Sequence, residues 1–448
     1  MTRIDLAIVG AGPAGLSLAC ALKNSASLKH LSLRLFEGAP LQRLVGWKDS
    51  VATAAEQSGR AIYENRVSSL TPRSVKFLQR IGAWDHLVHD RIKPYDEMRV
   101  WDGVSGAAID FDPYLLGQSS DIAYMIENSN LTQALLHRFF ELGGKEALVQ
   151  DKISIARDDN GWPVVSCDSD KFASRLVVGA DGQNSVVRRY ADIAYRGWDY
   201  NRSGVVASLQ LEYDDYRSVA YQRFLPSGPI AMLPLPDDAA TLVWSTTPER
   251  AEFLKKLAPE AFCAMVNAGF RLEAVDIDYL FTMDPTKTEE IIDQIEWRLD
   301  ETSIPDEENA VPVNIQSVVK GTVAAFPLRM KHADTYISER VALVGDAGHA
   351  THPLAGQGLN MGQRDVEYLT DALQVAVHRG LDIGSPLALE PYWKAAYLPN
   401  HVKLGVVDKL HKLYSTDFWP VVQLRSLGLN AVNQSDLIKR LLMSQASN

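Results

Sequence analysis

The sequence predicts an α/β chain in which a parallel-stranded nucleotide-binding domain is joined to an antiparallel sheet and a helical C-terminal region. Three observations carry this prediction. A short apolar run at residues 6–9 opens onto Gly10-Ala-Gly-Pro-Ala-Gly15 and a helical pattern. Two more apolar runs, at 176–180 and 341–344, end on Asp181 and on Gly345-Asp346. Residues 205–245 then break into short strand-like runs separated by Pro, Gly and Asp turns.

Composition narrows the function classes. At 448 residues, the chain has core for two or three domains, and its 46% hydrophobic and 23% charged content is that of an ordinary globular protein. A net charge of -11 without any Lys/Arg run excludes nucleic acid as a partner, because phosphate neutralisation needs a basic surface. Cys20, Cys167 and Cys263 are far apart and read as buried apolar residues, not as metal ligands or disulfides. No run approaches the ~20 apolar residues that span a bilayer. Met1-Thr-Arg-Ile-Asp leads directly into the first strand, so the expectation is a chain without a signal or transit peptide.

Each element has a physical reason. The 6–9 run is a buried strand, and each glycine after it has a task. Gly10 makes the tight turn, Gly12 allows close backbone approach to a pyrophosphate, and Gly15 lets the helix pack on the strand. Pro13 and Ala14 lie between them at the helix start. A second strand at 31–36 delivers Glu37 for a ribose hydroxyl, which makes the unit an adenine-dinucleotide cradle of the Rossmann-like type. Residues 71–81 read as a helix with Thr71 as N-cap and Pro72 at its first position, and 128–140 as another. Arg66 lies within reach of a phosphate. A hairpin is expected at 161–174, followed by the strand that ends at Asp181, with Ser185 and Arg188 opening a helix. The 205–245 region reads as an antiparallel meander with strands at 205–211, 220–225, 229–233 and 241–245. Residues 259–270 are helical. The acid-rich stretch 284–309 is an exposed helix and loop, or else a docking surface for a basic protein. After Asp346, the Gly-rich loop 353–358 leads into a helix whose free N–H groups and dipole favour an anionic oxygen. The apolar stripe at 420–443 either packs internally or meets a membrane surface or a partner.

The three strand-end motifs, Gly10/Gly12/Gly15 with Glu37, then Gly179-Ala-Asp181-Gly182, then Gly345-Asp346 with Pro353 and Gly356-Gln-Gly358, together resemble the single-component (class A) flavoprotein aromatic hydroxylases. Residues 65–74, 222–231, 242–246 and 352–362 bring the resemblance closest to the ubiquinone-biosynthesis ring C5-hydroxylases of eukaryotic mitochondria, over nearly the whole chain. The resemblance implies a glutathione-reductase/PHBH-type fold that binds FAD. Asp346 would lie at the ribityl chain, Gly356, Gln357, Gly358, Leu359 and Asn360 beside the flavin pyrimidine edge, and Arg66 and Asn128 near the pyrophosphate and flavin. It implies hydroxylation of a polyprenylated phenol by O₂ through a flavin C4a-hydroperoxide. Electrons would come from a ferredoxin and its reductase, other ubiquinone-biosynthesis proteins would be partners, and the site of action would be the mitochondrial matrix face of the inner membrane.

The expected division is an FAD-binding domain of residues 1–66, 120–200 and 335–400 and a substrate domain of 67–119 and 201–334. Residues 401–448 form the C-terminal helical region. The sheet at 205–245 would roof the flavin, with Phe224, Leu225, Ile230 and Leu233 as substrate-pocket candidates. No side chain stands out as a catalytic acid or base. Two other activities remain open at this level: an NAD(P)H-dependent hydroxylase of a small soluble phenol, and a flavin-dependent prenyl reductase.

Overall fold

The computed structural model describes residues 1–112, 121–168, 170–350 and 357–447. The first strand, Thr2–Val9, runs parallel to Leu33–Glu37 on one side and to Lys171–Gly179 on the other. Val341–Leu343 continues the parallel order beyond Lys171–Gly179, and Leu148–Gln150 lies beyond Leu33–Glu37. The central strands are buried on both faces, which is why they read as unbroken apolar runs. The helices Pro13–Asn24, Asn128–Glu141 and Gln357–His378 pack into the same core, which takes in Leu16, Phe139 and Leu369. Registry places four strand ends level with each other, since Val9 pairs with Gly179 and with Phe36, and Gly179 pairs with Leu343. Gly10, Glu37, Asp181 and Asp346 each lie one to three residues beyond this line.

One expectation is revised here. The second arm of the 161–174 hairpin and the strand leading to Asp181 are a single strand, Lys171–Gly179, whose first residues also pair with Pro163–Ser166.

The second sheet is antiparallel over most of its width. Val219–Phe224, Ile230–Pro234 and Ala239–Thr246 form the expected meander. The first strand is longer than expected, Tyr195–Leu211, and pairs with Ala239–Thr246 instead of with its sequence neighbour. Two regions without clear alternation extend the sheet, and the short strands Ala108–Phe111, Ile315–Val318 and His349–Ala350 bring it to nine strands among the described residues. Ala324–Ala333 pairs with Tyr195–Leu211, and Glu97–Asp102 joins Val219–Phe224 in parallel.

Helices Pro259–Arg271 and Thr288–Asp300 cover one face of this sheet and build a second core around Trp244 and Phe262. In the acid-rich stretch, Ile291 and Ile295 are buried, each contributing about 1.5–3 kcal/mol, and the carboxylates face outward. Thr71 caps the Pro72–Arg80 helix as expected, its hydroxyl accepting from the Ser74 N–H. The chain finishes in three helices, Pro386–Tyr414, Trp419–Asn433 and Asp436–Ser447.

Candidate active site

The level strand ends open into one cavity of about 1930 Å³, and Gly12, Asp181 and Asp346 all line it. On the first loop, Gly10 has φ +102° and lies against the next strand, where an added Cβ would be 2.3 Å from the Ala180 carbonyl oxygen. Gly15 is sealed in the same way against the Gly10 carbonyl, and it lies outside the cavity. Gly12 faces open space, as a backbone meant to approach a ligand should, and Pro13 and Ala14 line the cavity beside it. Glu37 is held in place because its carboxylate accepts from the Ala11 and Ala39 N–H groups, both at 2.8 Å.

Asp181 accepts from the Val186 N–H at 2.6 Å through one oxygen. Its other oxygen is buried without a hydrogen-bond partner among the described residues. Ser185 caps the short helix Val186–Tyr190. From it, Arg188 donates to the Ala347 and Gln183 carbonyls, both at 2.7 Å, and lies 3.7 Å from the centre of the Tyr195 ring. Arg188 thus ties the second motif to the third.

Asp346 lines the cavity, and burial raises its carboxyl above the usual range, partly offset by His349. A buried clamp fixes its loop. Asp365 accepts from the Gly345 N–H at 2.9 Å, from His349 Nε2 at 2.6 Å and from Asn400 at 2.9 Å. Arg188 and Asp365 act through contacts remote in sequence, and no local pattern singled out Asp365 or His349.

At the third motif, Gln357, Gly358 and Leu359 line the cavity at the helix start, with the Gln357 side-chain oxygen buried and unpartnered among the described residues. Pro353 and Gly356 lie outside the described residues. Asn360 is not on the cavity wall. It ties the helix to its neighbour instead, accepting from the Thr71 N–H at 3.0 Å and from Ser74 at 2.7 Å, and donating to the Ser69 carbonyl at 2.7 Å. Arg66 and Asn128 both line the cavity and are joined by the Asn128 N–H to the Arg66 carbonyl at 2.9 Å.

Beyond the cradle, the cavity runs under the second sheet into an apolar chamber. Phe224 and Leu233 line it, with Ala231 and Val243. Leu225 and Ile230 correct the expectation, because both are buried in the core on the opposite face. Successive residues of a strand point to opposite faces, so Phe224 and Leu225 cannot both reach the chamber. The far wall is helical, and Tyr414 stacks on Phe224 with ring centres 4.1 Å apart.

The residues present fit a flavin dinucleotide. The turn is open at Gly12, the helix starts at Pro13 and Gln357 lie on the cavity wall, where the first N–H groups of a helix lack intrahelical partners, and the orphaned oxygens of Asp181 and Gln357 belong to residues that line the cradle. A dinucleotide cradle that shares its cavity with an apolar chamber defines the class as flavoenzymes whose cofactor site opens onto an apolar chamber.

The chain belongs to the FAD binding domain family, which matches residues 3–381, and it is an FAD-dependent monooxygenase. It is 44% identical to the ubiquinone biosynthesis monooxygenase COQ6, mitochondrial, of Saccharomyces cerevisiae, over 98% of this chain and 92% of that protein. The Homo sapiens protein of the same name is 34% identical, over 100% of this chain and 93% of its own. Among solved structures, p-nitrophenol 4-monooxygenase PnpA of Pseudomonas putida shares the fold, with a TM-score of 0.69 at 16% identity over 100% of this chain and 99% of that one. PqsL of Pseudomonas aeruginosa in complex with 2-aminobenzoylacetate does so at 0.63 and 21% identity, over 96% and 100%.

Proposed function

We propose that this enzyme hydroxylates the aromatic ring of a polyprenylated phenol at C5 in ubiquinone biosynthesis, in the mitochondrial matrix and peripheral to the inner membrane. The observation that carries the reading is the single cavity in which the dinucleotide cradle continues into a long apolar chamber. Its apolar lining, which reaches Leu429 and Leu442 of the C-terminal helices, favours a substrate with an apolar tail over a small soluble phenol. The full-length relatives carry the name of that pathway and the word mitochondrial.

The division of labour follows from the residues. The Gly10–Gly15 turn and the helix start behind it hold the pyrophosphate, with Arg66 and Asn128 alongside, and Glu37 takes a ribose hydroxyl. Asp346 meets the ribityl chain. The N–H groups at Gln357, Gly358 and Leu359 present the positive end of a helix to the pyrimidine edge and stabilise negative charge there. Phe224, Leu233 and Ala231 hold the ring in a site that excludes water. Bound FAD supplies the activation of O₂ for transfer of one oxygen atom to the substrate.

Electrons come from a ferredoxin and its reductase, and other ubiquinone-biosynthesis proteins are partners. The sequence carries one GxGxxG cradle, so the alternative donor, NAD(P)H, would bind transiently without a nicotinamide domain of its own. The test is incubation with FAD, a ferredoxin couple and a prenylated phenol, with the product's ring position read by NMR. The reading expects a new hydroxyl at C5. A reduced prenyl chain without oxygen uptake would replace it with the reductase reading.

A further inference from the structure

The three C-terminal helices leave an unusual amount of apolar surface uncovered. On Pro386–Tyr414, the exposed residues Leu398, Val402, Val406 and Leu410 follow each other at intervals of four and so share one helix face. Phe418 and Trp419 are exposed where the next helix begins, Leu424 and Leu427 along it, and Leu437 and Leu442 on the last helix. Leu410, Leu413, Leu424 and Leu442 also line the cavity, so its apolar chamber opens within this surface. Charge changes sign here as well. Counting exposed side chains alone, residues 401–448 present Lys409, Lys412 and Arg440 against Asp417 and Asp436, a net of +1, on a chain whose net charge is -11. Lys409 and Arg440 are exposed among the apolar residues, and Lys412 beside them is exposed but paired with Asp408 at 2.9 Å.

From this combination we infer that the Pro386–Tyr414, Trp419–Asn433 and Asp436–Ser447 helices form a docking face for an anionic lipid surface and that the substrate chamber opens directly onto that face. Exposed aromatic and aliphatic side chains enter the headgroup boundary, while the lysines and arginine meet lipid phosphates. No helix among the described residues is long and apolar enough to cross a membrane, so the face lies on the bilayer. An apolar tail then passes from lipid into the chamber without crossing water. This deepens the reading above by locating the membrane contact and the entrance.

The experiment is flotation of the full-length flavoprotein with phosphatidylcholine vesicles, with and without phosphatidylglycerol. Trp419→Glu/Leu427→Glu and, on the neighbouring helix, Val406→Glu alter exposed positions that do not line the cavity. The inference expects flotation with the anionic vesicles, weaker flotation with the neutral ones and a loss of at least about tenfold in partition for both variants. FAD content and turnover of a short-tailed soluble phenol should stay unchanged. Three results would overturn it: no flotation of the wild-type protein, flotation that both variants retain, or self-association of the wild-type protein that the substitutions abolish, which would make a second copy the occupant. Vesicle binding is read without turnover, so its failure leaves the hydroxylase reading standing, and failure of turnover leaves the binding result intact.

Discussion

Arg425 grips Asp102 through two hydrogen bonds of 2.7 and 2.9 Å, across 323 residues of sequence, with both side chains no more than 1% exposed. The same guanidinium donates to the Leu413 and Thr416 carbonyls at 3.0 and 2.7 Å. One buried pair therefore fastens the C-terminal helices to the end of the Glu97–Asp102 strand, at the wall of the chamber. Removing one partner strands a buried charge at a cost of about 3–5 kcal/mol. Asp102→Ala should strip hydrogen-exchange protection from residues 405–433 while the parallel sheet keeps its own. Unchanged protection in the C-terminal helices would show that the pair does not hold them.

Gly10 and Gly12 should fail differently. A methyl group at Gly10 collides with the Ala180 carbonyl and meets a positive φ, so Gly10→Ala should lower both stability and FAD content. At Gly12 an added Cβ has nothing within 4 Å, so Gly12→Ala should melt like the wild-type apoprotein and bind FAD at least about tenfold more weakly. Calorimetric melting and flavin titration separate the two effects. Normal flavin affinity in Gly12→Ala would remove the loop from the cofactor site.

His332 predicts acid sensitivity. Burial pulls its imidazole down from the ordinary 6.5 to about 4, with His349 and His401 nearby adding to the effect. It also lies 2.6 Å from the Tyr336 hydroxyl. Since the folded pKa is the lower one, its contribution to stability is present above pH 6.5 and is lost as pH falls towards 4. Chemical denaturation across that window should show a shallower decline for His332→Gln than for the wild-type protein. His349 is shifted the opposite way: burial lowers it, but Asp365 outweighs burial, so its contribution is lost as pH rises through its folded pKa. Parallel slopes for His332→Gln and wild type would refute the assignment.

Gly428 is exposed on the Trp419–Asn433 helix, lines the cavity and has open space where a side chain would go. Gly428→Phe should therefore fold normally and narrow the entrance. The expectation is a fall of about tenfold in kcat/KM for a long-tailed phenol, with a short-tailed one unaffected. Equal losses for both would place the entrance elsewhere.

Much of this was legible in the sequence, for identifiable reasons. A buried parallel strand is a continuous apolar run, and a ligand site at its end shows as Gly or an acid just after it, so Gly10, Glu37, Asp181 and Asp346 stand out together. Facing was harder to read. Phe224-Leu225 and Ile230 through Leu233 are all apolar because one face lines the chamber and the other lines the core, which erases the alternation that separates them. The first ten residues of Tyr195–Leu211 are mostly polar and half-exposed, so that strand looked shorter than it is. The Asp365 clamp and the Arg425–Asp102 pair leave no local pattern, because their partners are set by tertiary contact. Asn360 adjoins the cavity in sequence but spends its amide on Thr71, Ser74 and Ser69.

The central claim is oxygen transfer from O₂ to a tailed phenol held beside the flavin in one cavity. Its most direct test is turnover of the reduced enzyme with a prenylated phenol under ¹⁸O₂ in ordinary water, followed by mass analysis of the product. The account predicts one ¹⁸O atom in a new ring hydroxyl. A product labelled from water, or flavin reoxidation that leaves the ring unchanged, would contradict it.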